Sequence, residues 1–145
     1  MARAPVPGPS ATQLRVLVVE DSEADAVLIV RELKRAGYEV AWERVQTAEG
    51  MRTALNRAAW DLVLSDFDMP AFSGPAALDV LRHSGLDVPF LIISGTVGEA
   101  KAVAALKAGA HDFLVKDQLA RLAPAIEREL GDVAVRREQI GRAHV

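Results

Sequence analysis

The sequence predicts an α/β protein: a doubly wound, five-stranded parallel sheet with helices on both faces. Two observations carry this. Short valine-rich apolar runs alternate along the chain with segments of helical period. The runs are also apolar throughout rather than at every second residue, as in strands covered on both faces of a parallel sheet. Strict β-α alternation with right-handed crossovers then places helices on either side.

The elements follow in order. "MARAPVPGPS" is rich in Pro, Gly and Ser, has no apolar core of a secretory signal, and marks residues 1–13 as a disordered lead. "LRVLVVE" (Leu14 to Glu20) is the first strand. A helix starts at Ser22, carries Ala26, Ile29, Val30 and Leu33 on one face, and stops with Gly37 as its C-cap. "YEVAWERV", from Tyr38, alternates more and reads as an edge strand. The second helix spans about Thr47 to Ala58, and "DLVLSD" is the third strand. The third helix covers about Gly74 to His83, "VPFLIIS" is the fourth strand, and "GEAKAVAALKAGA" is a fourth helix ending at Gly109. "HDFLVK" is the fifth strand, and a last helix begins near Asp117.

With 145 residues, 50% of them hydrophobic and 26% charged, the chain matches one ordinary globular domain. A net charge of -3 offers no electrostatic footprint for nucleic acid or a membrane surface. The absence of cysteine excludes disulfides and thiolate metal sites. No apolar run approaches the roughly 20 residues that span a bilayer, and a cytoplasmic location is the expectation.

Ligands of open α/β sheets bind outside the carboxyl ends of the strands. Those ends supply Glu20-Asp21, Asp66-Phe67-Asp68, Ser94-Gly95-Thr96 and Lys116. Singly, each has a bland explanation: a helix cap, a turn, a solvated lysine. Jointly they are complementary. Three clustered carboxylates repel one another unless they share protons or hold a cation. An all-oxygen set without His or Cys selects a hard ion, foremost Mg²⁺. A carboxylate beside such an ion is a competent nucleophile towards phosphorus, and a lysine and a hydroxyl can stabilise the phosphoryl oxygens.

With "VVED", "DFDMP", "ISG" and "GAHDFLVK" in this order and spacing, the region from Leu14 to about Leu130 resembles the receiver domain of bacterial two-component response regulators, a flavodoxin-like fold shared with chemotaxis regulators. The resemblance implies Asp66 as phosphoacceptor and Asp21 as a direct Mg²⁺ ligand. It implies Glu20 as a ligand through water, and the main-chain carbonyl of Asp68 on the metal. Ser94 and Lys116 would contact the phosphoryl group, and Phe113 would change rotamer on activation together with Ser94. A sensor histidine kinase or a phosphotransfer protein would be the donor, and the fourth helix, fifth strand and fifth helix the switching surface. The chain would be no enzyme beyond its own phosphorylation and dephosphorylation. Pro70 fixes the turn that presents Asp66, and the resemblance implies that position 68, which varies in the family, tunes phosphoryl lifetime, so that an acid there would act on the hydrolytic water. The family's usual proline after the lysine is Asp117 here; a cis bond to a non-proline costs about 2.5–4 kcal/mol, so a trans bond is expected.

Two rivals are weighed against this. A haloacid-dehalogenase-like phosphatase also uses D-x-D after a strand, but places its acidic pair after the lysine, where only Gly131-Asp132 is available. A receiver-like module that binds partners without phosphorylation would not need the acidic pair, Asp66, Ser94 and Lys116 together. In the tail, residues 131–145 form a helical extension or linker. Leu119, Ala123, Ile126, Leu130, Val133 and Ile140, with Arg137 at the remaining position, follow a heptad spacing. This predicts a homodimer through the fifth helix, against the alternative that the end of the helix is simply solvated.

Overall fold

The computed structural model describes residues 12–95 and 98–143. The lead as far as residue 11, and Thr96, lie outside the described residues. The elements are β1 (Thr12–Val19), α1 (Glu23–Arg35), β2 (Tyr38–Val45), α2 (Ala48–Arg57), β3 (Leu62–Asp66), α3 (Gly74–Ser84), β4 (Phe90–Ser94), α4 (Glu99–Lys107), β5 (Asp112–Val115) and α5 (Leu122–Ala143). All strand pairs are parallel, in the order β2-β1-β3-β4-β5. The chain winds one way from β1 to β2 and the other way from β3 onward. The crevice at that reversal lies at the carboxyl ends of β1 and β3, where such sheets bind ligands.

Strand alternation builds two cores. Leu17, Val19, Val63, Phe90 and Ile92 face α2, α3 and α4, meeting Met51, Leu55, Leu78, Leu81 and Ala105. Val16, Val18, Leu64, Leu91 and Ile93 face α1 and α5, meeting Ile29, Val30, Leu33, Leu122 and Ile126. β3 and β4 are buried at every residue, which is why they read as unbroken apolar runs. β2 is only partly buried and lies at an edge, as its alternation suggested.

Side-chain caps start three helices. Ser22, Thr47 and Ser73 accept from the amides of Asp25, Gly50 and Ala76 at 3.2, 2.9 and 3.2 Å. Each satisfies a backbone donor that the helix cannot pair, worth about 1 kcal/mol. The stops differ slightly from expectation. Ala36 is the C-cap of α1, and Gly37 follows it with φ 103°, taking the left-handed step that a side chain resists.

Two boundaries moved. β1 starts at Thr12, because Thr12 and Gln13 pair with Tyr38 and Glu39 of β2. The last helix does not begin at Asp117: residues Lys116–Arg121 form a 3₁₀ turn, broken at Gln118, before α5 opens at Leu122. There are no cis peptide bonds among the described residues, and Lys116–Asp117 is trans as expected.

α5 runs 22 residues, about 33 Å at 1.5 Å per residue. It continues past Leu130 without a break, and Arg136 grips both carboxylate oxygens of Asp87, before β4, at 2.9 and 3.4 Å. The heptad reading of this helix needs correcting. Ile126 is fully buried and Val133 6% exposed within the single chain, so these positions already face their own domain. The buried stripe includes Leu122 and Ala125, neither of them in that spacing. The side chains of Arg137 and Ile140 lie outside the described residues.

Candidate functional site

The sheet brings the ends of β1, β3, β4 and β5 to one rim, and with them most of the residues singled out from sequence. Glu20 leaves β1 1% exposed, its amide donating to Val45 O at 3.0 Å. Asp21, next along, is exposed. Asp66 is the last residue of β3, 7% exposed. Ser94 ends β4 fully buried. Lys116 follows β5 and reaches back across the rim.

Lys116 Nζ lies 3.1 Å from Glu20 Oε2, 3.5 Å from Asp66 Oδ2 and 2.7 Å from Asp25 Oδ2. Burial works to lower its pKa, but the bond to Asp25 and the carboxylates of Glu20 and Asp66 outweigh it and hold the ammonium above its ordinary value. Glu20 is pushed the other way. Loss of solvent, chiefly, drives its carboxyl up to about 7; the Ser22 amide opposes this, the Asp66 charge adds to it, and Lys116 relieves part of it. Glu20 Oε1 accepts from Ser22 N at 3.1 Å. Its Oε2, although close to the lysine, has no hydrogen bond of acceptable geometry and is buried.

A buried carboxylate oxygen without a hydrogen bond is costly unless something else completes it. One carboxylate oxygen each from Glu20, Asp21 and Asp66 lie within 4.8 Å of one another. That convergence of oxygen ligands, two of the three residues buried, fits a hard divalent cation. Next to it, Asp66 Oδ1 accepts the amide of Asp68 at 3.3 Å, so the turn holds the carboxylate from behind.

The second aspartate faces elsewhere. The Asp68 side chain is about half exposed; its Oδ2 lies 3.5 Å from Ser94 Oγ and its Oδ1 3.3 Å from Lys101 Nζ. Phe113 is half-buried on β5 and meets Phe67 edge to face, ring centroids 5.9 Å apart.

Four contributors escaped sequence reading. Asp25 on α1 takes the shortest contact to Lys116. Arg44, at the end of β2, donates to the carbonyls of Glu20 and Asp21 at 3.2 and 3.5 Å, fixing the backbone of the acidic pair. Lys101 on α4 pairs with Asp68. Gly74 opens α3 where an added Cβ would sit 3.0 Å from Phe67 Cα and 3.1 Å from Asp66 O. Only the glycine in "FSGP" carried a local hint, following a capping serine and preceding a proline. Gly131-Asp132, which the phosphatase reading would need, lies inside α5.

Residues 16–127 match the family model of the response regulator receiver domain. The chain belongs to that family. The transcriptional regulatory protein PrrA of Mycobacterium tuberculosis is 37% identical over 105 residues, covering 72% of this chain and 44% of PrrA. The chemotaxis protein CheY1 of Helicobacter pylori is 30% identical over 108 residues, covering 71% of this chain and 85% of CheY1. The chain spans less than half the length of PrrA and similar regulators. Among solved structures, the receiver domain of a Syntrophus aciditrophicus signal transduction histidine kinase superposes with a TM-score of 0.68 at 28% identity, over 83% of this chain and 92% of that one. The receiver domain of a Pseudomonas aeruginosa sensor histidine kinase gives 0.68 at 25% identity, over 83% and 99%, and holds a magnesium ion in its active-site cleft. The receiver fold and a receiver's place in two-component signalling are therefore established for this chain. No described helix is long and apolar enough to cross a membrane.

Proposed function

We propose that Asp66 accepts a phosphoryl group from a histidine kinase or a phosphotransfer protein, and that Glu20, Asp21, Asp66 and the Asp68 carbonyl hold Mg²⁺ for the transfer. The observation that carries this is the setting of Asp66: a carboxylate at the end of a fully buried strand, within an acidic cluster and 3.5 Å from the Lys116 ammonium. An Asp66 oxygen attacks phosphorus, the P–N bond of the phosphohistidine breaks, and the imidazole leaves with that electron pair. The ion's contribution is to offset negative charge on the phosphoryl oxygens. Lys116, 3.5 Å from Asp66 Oδ2, would supply a second positive charge, and Ser94 a hydroxyl donor.

The chain turns over no external substrate on this reading; phosphoryl acceptance at Asp66 and its slow loss are its chemistry. Recruitment of Ser94 to the phosphoryl group frees space into which Phe113 moves, shifting a two-state equilibrium of α4, β5 and α5. Exposed Val103 and Leu106 on α4, at 45% and 46%, are the apolar part of that surface. A homodimer through α5 would use outward residues such as Val135, 53% exposed, because Ile126 and Val133 face inward.

Incubation with acetyl phosphate and Mg²⁺, followed by intact mass, tests the reading. Wild type gains one phosphoryl group and Asp66→Asn gains none. An adduct of equal yield in Asp66→Asn would refute the assignment.

A further inference from the structure

Lys101 is placed with more definition than a surface lysine on a first helical turn requires. Its stem lies over Gly98, whose missing Cβ would stand 3.3 Å from Lys101 Cγ and Cδ. Its ammonium sits 5.4 Å from the Phe67 ring centroid and 3.3 Å from Asp68 Oδ1. The other Asp68 oxygen faces Ser94 Oγ at 3.5 Å. A chain of contacts thus runs from α4 through Lys101 and Asp68 to the buried hydroxyl beside Asp66.

A phosphoryl group on Asp66 changes the terms of that chain. It brings close to two negative charges and competes for the Ser94 hydroxyl. Once Ser94 turns to the phosphoryl oxygens, the described contact left to the Asp68 carboxylate is Lys101. A carboxylate released there is a base beside the phosphorus, able to hydrogen-bond and orient a water for attack. In that hydrolysis the water oxygen bonds phosphorus and the P–O bond to Asp66 breaks. Asp66 leaves as carboxylate, and phosphate departs carrying both water protons.

We propose that Lys101 is a positioning residue that sets the lifetime of the phosphorylated chain by pinning the Asp68 carboxylate away from the attacking water. The inference rests on Asp66 being the phosphoacceptor and acts only through Asp68. Lys101 is half exposed and outside the core, so its replacement leaves folding intact.

The test phosphorylates each protein with acetyl phosphate and Mg²⁺, removes the donor, and follows decay of the adduct by intact mass. Lys101→Met shortens the half-life about two- to fivefold, the scale of one exposed ion pair. Lys101→Arg keeps the wild-type half-life. In an Asp68→Asn background, Lys101→Met changes nothing. In the unphosphorylated protein, Lys101→Met also shifts the Asp68 carboxyl carbon resonance, and Lys101→Arg restores it. An unchanged half-life in Lys101→Met, or equal shortening with and without the Asp68 carboxylate, overturns the proposal while leaving the phosphoacceptor reading intact. Wild type that takes no phosphoryl group at all overturns that reading first.

Discussion

At the scale of single residues, close approach matters as much as charge. Gly74 lets the first turn of α3 lie against the backbone that carries Asp66. Backbone atoms at 3.0 and 3.1 Å cannot swing aside as a flexible side chain can. Gly74→Ala should therefore cost about 1–3 kcal/mol, the usual range for overpacking, measured by urea denaturation, and should slow phosphorylation by displacing Asp66. The principal site residues were legible because each stands at the end of an apolar run, where the fold class itself predicts a ligand crevice. Asp25, Arg44 and Lys101 were not legible. Each is a lone charge on a helix or an edge strand, locally identical to a solvated residue, and acquires its role only when the sheet order brings it beside Lys116, Glu20 or Asp68.

At the scale of elements, α5 shows where periodicity misleads. A spacing of four and three residues suits a second helix, but it suits a sheet and a neighbouring loop equally well. Ile126 packs in the core beneath the sheet, and Val133 is already buried within the same chain. Ile126→Asp should then unfold the monomer by about 4 kcal/mol or more, the cost of an unpaired buried charge, whereas Val135→Asp should leave stability within about 0.5 kcal/mol. Thermal denaturation of the two variants separates them; equal behaviour would put Ile126 outside the core. Gly131 offers the opposite change. Nothing lies within 4 Å of an added Cβ there, so Gly131→Ala should stabilise the protein by about 0.5–1 kcal/mol through helix propensity alone. The 3₁₀ turn before α5 escaped sequence reading because "KDQLAR" is as compatible with a full helix as with a tight turn.

At the scale of the whole molecule, two cores hold a sheet whose topology creates the site. Helices α1 and α5 cover one face and α2, α3 and α4 the other, and the carboxyl ends between them carry clustered negative charge. Burial of Glu20, chiefly, and the neighbouring Asp66 charge oppose ionisation of this cluster when no cation is present, and they push the Glu20 carboxyl up to about 7. Mg²⁺ that binds only the folded chain should raise its stability by about 2.7 kcal/mol at one hundred times the dissociation constant. Asp21→Ala should remove most of that gain while barely changing metal-free stability, because Asp21 is exposed. Thermal melts with and without Mg²⁺ check both halves of the statement. Presentation of one carboxylate to phosphorus by this fold is decided by locating the adduct. Borohydride reduction of the phosphorylated chain, followed by peptide sequencing in a mass spectrometer, should convert Asp66 alone to homoserine, and only when Mg²⁺ was present. Label on Asp68 or Asp21, or on no aspartate, would contradict it.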